Sequence, residues 1–248
     1  MKTLVVMNEK GGVGKTTLSI HAAWFFAERY RTLVLDLDQQ GNLSYTLEGH
    51  LGSVDAVQLF KEETRIPASG HVTVARATDE LLEAERVDQS AITVFRDSVQ
   101  ANAPDYDICI IDTPPILGLR TFAALLAADA VLAPIELGDY SLTGVQRLMQ
   151  SIKGVASHYG RPEPQFLGLL ASKFDRRSPR ERALFEGLAA EIGGLLFPGV
   201  VTKRDVYARA ASERIPVWMM KGAAGRDAGD EIRNVFSTVE KMMELTHG

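Results

Sequence analysis

Asn8-Glu9-Lys10-Gly11-Gly12-Val13-Gly14-Lys15-Thr16-Thr17 is the stretch that decides how this chain is read. An apolar run, Leu4-Val5-Val6-Met7, precedes it, and a helix-like segment from Leu18 to Tyr30 follows. Strand, glycine loop and helix in that order form the context of a phosphate-binding loop. Gly11, Gly12 and Gly14 have no side chain to block close approach, so their backbone N–H groups can turn inward around phosphate oxygens, with Val13 part of the same loop. The helix start adds unpaired N–H groups and the positive end of its dipole. Lys15 is placed to reach the β- and γ-phosphates, the Thr16 hydroxyl to ligate Mg²⁺, and Thr17 to reach the α-phosphate side.

Outward from this loop, Thr32-Leu33-Val34-Leu35-Asp36-Leu37-Asp38 reads as a second buried strand ending in carboxylates. Strand, amphipathic helix and strand at this length make one βαβ unit, which is parallel and right-handed. Both strands then deliver their C-terminal ends to one edge, where open parallel sheets bind ligands. Asp107-Ile108-Cys109-Ile110-Ile111-Asp112 is a third apolar strand ending in an acid, and Asp112 would hold Mg²⁺ through water. Pro114 and Pro115 stop that strand and fix the loop beside the γ-phosphate.

Further along, Ser44–Leu47 and Ser53–Phe60 read as short helices, His71–Ala75 as a strand, and Asp79–Val99 as one helix opened by an Asp79 cap. Later strands are expected over 130–135, 166–172 and 200–202, with helices over 142–158, behind Pro179, and over 204–214. The closing helix, 226–245, carries Ile232, Val235, Phe236, Val239, Met242 and Met243 as one apolar stripe. A core-facing stripe is the reading preferred to a membrane-surface helix, whose polar face should be rich in Lys and Arg.

Composition bounds the rest. At 248 residues, 46% hydrophobic and 24% charged, this is an ordinary globular chain of one α/β domain. No apolar run approaches the roughly 20 residues that span a bilayer, and no signal peptide is visible. Cys109 is the only cysteine, so no intrachain disulfide and no cysteine metal cluster can form, which fits a reducing cytoplasm. None of the five histidines has metal-ligand spacing with another. The net charge of −5 is uneven: residues 1–172 hold 14 Lys and Arg against 21 Asp and Glu, whereas residues 173–233 hold 12 against 9. A basic section on an acidic chain can serve as an anion-binding face.

The glycine loop departs from G-x-x-x-x-G-K-[ST]. Glu9 stands where glycine is usual, and an additional lysine, Lys10, precedes the double glycine. In K-G-G-x-G-K-[ST]-[ST] the chain resembles the ParA/MinD family of P-loop ATPases, which carry this deviant Walker A box. Asp36-Leu37-Asp38-Gln39-Gln40-Gly41-Asn42 resembles that family's D-x-D-P-Q-G-N box, with Gln39 where the family usually has proline. Asp112 takes the Walker B place.

The resemblance implies an α/β fold with a doubly wound, mostly parallel sheet flanked by helices, of the deviant Walker A (SIMIBI) type. It implies ATP as substrate, ADP as product and Mg²⁺ as cofactor, the metal being held by Thr16, Asp36 and Asp112. It implies that Asp38 positions or activates the attacking water and that Asp36 supports the metal and water network. Lys10 would reach across a homodimer to the partner's nucleotide. Late strand-end loops hold adenine in the family, which makes Lys173, Phe174, Asp205 and Pro216 candidates.

More narrowly, the chain looks like a short ParA-type partition ATPase. A single domain is expected over 1–248, with no N-terminal helix-turn-helix domain. Sequence-specific DNA recognition would come from a ParB-like centromere-binding partner. Non-specific binding to bulk DNA would fall to Arg176, Arg177, Arg180, Lys203, Arg204 and Arg226. The expected location is cytoplasmic and nucleoid-associated, with no membrane partner. The alternatives on the same fold are a MinD-like membrane-associated positioning ATPase and a metabolic or metal-carrier enzyme.

Overall fold

The computed structural model describes residues 1–139 and 141–245. Eight strands form one sheet: β1 (Lys2–Val6), β2 (Thr32–Asp36), β3 (Leu51–Asp55), β4 (Val72–Arg76), β5 (Ile108–Asp112), β6 (Ala130–Ile135), β7 (Gln165–Phe174) and β8 (Leu196–Thr202). Their order is β3-β4-β2-β5-β1-β6-β7-β8, and every described pairing is parallel. A sheet covered on both faces needs continuous apolar strands. That is why Leu33–Leu35, Ile108–Ile111 and Ala130–Ala133 are buried throughout.

Alternate residues feed two cores. Val5, Leu33, Leu35, Cys109 and Ile111 face one cluster, with α3 (Ser90–Ala101), α4 (Leu119–Ala127) and α5 (Leu142–His158) packed over it. Leu4, Val6, Val34, Ile108 and Ile110 face the other, under α1 (Lys15–Ala27), α7 (Val206–Glu213) and α8 (Ala223–Met242). The two remaining helices of the described residues are α2 (Asn42–Thr46) and α6 (Pro179–Ile192). The stripe on α8 is buried, with Ile232, Val235, Phe236 and Val239 at 2% exposure or less. Two ion pairs bind α8 to the end of α1: Arg233 with Glu28, and Arg29 with Glu240. No described helix is long and apolar enough to cross a membrane.

Three expected elements come out differently. The helix expected over 79–99 is broken: a 3₁₀ segment covers Asp79–Arg86, and α3 begins only at Ser90. The Asp88 side chain accepts the Ser90 N–H at 2.8 Å and restarts the helix, a local cap that apolar periodicity does not register. The helix expected over 53–60 is split between the edge strand β3 and a 3₁₀ segment, Ala56–Phe60. Arg76 binds Asp55 at 2.6 Å and fastens β3 to β4. The last strand starts four residues earlier than expected, at Leu196. Pro198 and Gly199 disguise it, and proline is tolerated because β8 lies at the sheet edge.

Candidate functional site

β1 lies between β5 and β6, and β5 pairs with β2 on its other side. The C-terminal ends of β1, β2 and β5 therefore bring residues 8–17, Asp36, Asp38 and Asp112 to one edge. Asn8 anchors the loop: its Nδ2 donates to the Pro134 carbonyl at 2.7 Å, and its Oδ1 accepts the Lys10 N–H at 2.8 Å. Gly12 and Gly14 have φ of 79° and 97°, so the chain reverses into α1 through a left-handed conformation that favours glycine. A Cβ on Gly14 would also stand 2.8 Å from Ser172 Oγ. The Val13 side chain is buried, which leaves its backbone for the loop.

The Lys15 side chain is 6% exposed and folds back into the loop, where its Nζ donates to the Lys10 carbonyl at 2.9 Å. Burial lowers its pKa, opposed by the nearby carboxylates of Asp112 and Asp38. Lys15 therefore sits within the field of both acids. Lys10 is exposed at the loop's rim.

Asp112 is fully buried and accepts two hydroxyls from one face of α1: Thr16 Oγ1 at 2.8 Å and Ser19 Oγ at 2.9 Å. Asp36, equally buried, accepts the Ser44 N–H at 2.9 Å, the Ser44 hydroxyl at 2.6 Å and the Asp38 N–H at 3.2 Å. Burial pushes both carboxyls up, Asp36 to about 6 and Asp112 to about 7. Asp38 is half-buried, and one of its oxygens, Oδ1, accepts the Gln40 N–H at 3.1 Å.

Thr16, Asp36 and Asp112 offer hard oxygen donors, and two buried acids side by side gain from a cation between them. That donor set fits Mg²⁺, which takes one or two carboxylates and completes its shell with water and phosphate oxygens. Among the described residues no group of three or more His, Cys, Asp or Glu could hold a metal ion.

A cleft of about 460 Å³ continues from Gly14 and Thr17 between the ends of β7 and β8. Lys173 and Asp205 line it, as do Lys203 and Arg204. Lys173 pairs with Glu136 at 2.7 Å across its wall. Phe174 and Pro216, also expected near adenine, are not among its lining residues. Phe174 is 8% exposed and packs on Phe185 in the α3–α5 core. Lys173 before it is left-handed, with φ of 54°, which breaks the alternation that would have set Phe174 on the side of the cleft residue Ser172. Pro216 instead leads into the Val217–Met219 turn packed on α8.

The basic candidates also divide. Arg176, Arg177, Arg180 and Arg226 are exposed, at the β7–α6 loop, the start of α6 and the first turn of α8. Arg204 is half-buried and bound inward, to Thr202 Oγ1 at 2.8 Å, Glu231 at 3.3 Å and Asp227 at 3.4 Å.

Sequence reading missed Asn8, Ser19, Ser44 and Arg120. Ser19 carried a usable signal, a hydroxyl three residues after Thr16 and so on the same helix face. Arg120 carried another, a lone charge in the apolar stretch 119–128.

Residues 1–162 match the family model described as an AAA domain. The protein IncC of Escherichia coli is 38% identical over 99% of this chain and 71% of its own length. The chromosome-partitioning ATPase Soj of Thermus thermophilus is 30% identical over 86% of this chain and 85% of its own. Among solved structures, an ATP complex of a Cyanothece McdA variant superposes with a TM-score of 0.82 at 20% identity, over 96% of both chains. A putative plasmid partition protein of Borrelia burgdorferi bound to AMPPNP gives 0.76 at 18% identity, over 96% of this chain and 99% of that one. These two structural likenesses speak for the fold, and the first two for descent. With its phosphate loop and three strand-end acids at one edge, the chain belongs to the ParA/Soj family of partition ATPases.

Proposed function

We propose that this chain is a DNA-segregation ATPase that pairs with a second copy when ATP is bound, holds DNA without regard to sequence, and is regulated by a ParB-like centromere-binding partner. The observation that carries the reading is the division of labour between two lysines of one loop. Lys15 is turned inward onto the Lys10 carbonyl, while the Lys10 side chain is exposed at the rim. An inward lysine serves the chain's own phosphates, and a rim lysine is suited to those of a facing subunit.

Phosphoryl transfer to water needs mainly positioning and charge neutralisation. The loop N–H groups and Lys15 bind the phosphates, and the Thr16 hydroxyl and Asp112 stand ready at the metal position. Mg²⁺, when bound, adds charge neutralisation on the phosphate oxygens. Asp38 has Oδ1 engaged by Gln40, which leaves Oδ2 to orient water and accept its proton. The cleft lined by Thr17, Lys173 and Asp205 is the place for the nucleoside.

For DNA, Arg177, Arg180, Lys203 and Arg226 have no ion pair among the described residues, whereas Arg176 lies 3.9 Å from Glu231. Such a face is weak singly. Dimerisation would align two, and affinity should then fall steeply with salt. Against a membrane role, the apolar side of α8 is already spent in the core. Co-sedimentation with DNA and with anionic liposomes, in ATP, ADP or no nucleotide, tests the reading, with Asp38→Ala as the non-hydrolysing form. ATP-dependent, salt-sensitive pelleting with DNA supports it, and pelleting with liposomes alone contradicts it.

A further inference from the structure

Arg120 is the largest fully buried side chain, at 1% exposure, in a helix that is otherwise apolar apart from Thr121. A guanidinium is taken from water only when its donors are met. Here Nη1 donates to the Leu37 carbonyl at 2.9 Å and to Gln39 Oε1 at 2.8 Å, and Nε donates to Glu85 Oε1 at 2.7 Å. Glu85 also accepts the Leu119 N–H at 2.7 Å, so it caps α4 from the 3₁₀ segment Asp79–Arg86. A Cβ at Gly118 would press on that carboxylate, so a larger residue there would have to displace the Glu85 side chain and with it the cap on α4. Thr121, the next residue, donates its hydroxyl to the Ile116 carbonyl at 2.6 Å. Arg120 therefore joins the loop after β5, which follows Asp112, to the loop after β2, which carries Asp38.

Gln39 sits at a telling place. The Gly41 N–H closes a turn onto the Asp38 carbonyl at 2.9 Å, with Gln39 as the second residue of the four. Proline suits that position because its ring fixes φ near −65°. The family box has proline there and this chain does not, which leaves the turn with freedom that something else must remove.

We propose that Arg120 and Gln39 form a clamp that holds the Asp38 turn in position for hydrolysis, a hydrogen bond replacing the stiffness of a proline ring. This rests on the reading of Asp38 as the residue that orients water. Arg120 and Gln39 are positioning residues, acting through Asp38. Loss of the clamp should therefore slow the chemical step without weakening nucleotide binding.

Removing Arg120 would test folding as much as the clamp, so the experiment turns on Gln39. For the parent chain, Gln39→Ala, Gln39→Pro and Asp38→Ala, we would measure the Kd of a fluorescent ATP analogue with Mg²⁺ and the single-turnover rate of ATP hydrolysis. Gln39→Ala should lose about tenfold in rate, since small misplacements of a reacting group cost factors of 10 to 100, with Kd within about twofold of the parent. Gln39→Pro should recover the rate to within about threefold. The clamp is overturned if Gln39→Ala hydrolyses at the parent rate, if rate and affinity fall together, or if Gln39→Pro is as slow as Gln39→Ala. If Asp38→Ala itself hydrolyses at the parent rate, the underlying reading of Asp38 fails, a result distinct from failure of the clamp.

Discussion

Asp36 and Asp112 are register partners at the ends of two adjacent parallel strands, and both are closed off from solvent. Burial is the main reason their carboxyls rise to about 6 and about 7, and for Asp112 the facing Asp36 is the second. A carboxyl raised in the folded state holds its proton more tightly there than when unfolded. Its stabilising share is complete below about pH 4 and is lost as the pH rises through 6 to 7. At neutral pH the pair therefore costs stability that function requires.

Asp112→Asn should show this trade. It relieves the like-charge pair, and an amide can still bond the Thr16 and Ser19 hydroxyls. The nucleotide-free protein at pH 7.5 should gain on the order of 1 kcal/mol, or about 2–4 °C in Tm. The further rise in Tm that the parent gains from Mg²⁺ and ATP together should disappear. Paired thermal melts check both; a Tm below the parent's would show that the acids are not in conflict.

Gly14→Ala should abolish nucleotide binding for two separable reasons. The residue would have to adopt φ of 97°, at a cost of about 1–2 kcal/mol, and its methyl would press on Ser172 Oγ. Adding Ser172→Gly removes only the second. The double variant should regain part of the Tm but not ATP affinity measured by titration calorimetry.

His21 gives the fold an acid limit. Its Nδ1 lies 2.8 Å from the Thr17 carbonyl and its Nε2 3.3 Å from the Val217 N–H, an arrangement that only the neutral ring protonated at Nδ1 satisfies. Trp24, Tyr207 and Trp218 enclose it edge-on. Burial lowers its pKa to about 4. The depressed value means stability that is whole above about pH 6.5 and is lost as the pH falls towards 4, in all about 3 kcal/mol. Urea titrations from pH 7 to pH 4 should lose that much more stability in the parent than in His21→Gln. Equal slopes would contradict it.

The strands and the phosphate loop were legible because each rests on local pattern: unbroken apolar runs ending in Asp36 and Asp112, and glycines where φ must be positive. What stayed hidden depends on partners distant in the chain. Arg120 meets Leu37, Gln39 and Glu85 at separations of 35 to 83 residues, and no spacing rule announces such a meeting. Phe174 misled for a different reason. It follows two cleft residues, Ser172 and Lys173, but the left-handed backbone of Lys173 breaks the strand's alternation and turns Phe174 to the other face. Arg204 stood in a basic run, yet its charge is met within the fold by Glu231 and Asp227.

The proposed ATP-dependent dimer depends on Lys10 of each subunit reaching the facing nucleotide. Sedimentation velocity in Mg²⁺ and ATP compares Asp38→Ala with Asp38→Ala/Lys10→Ala, so that hydrolysis does not blur the result. The single variant should sediment as a dimer and the double variant as a monomer that still binds ATP. A double variant that dimerises as fully as the single one would contradict it.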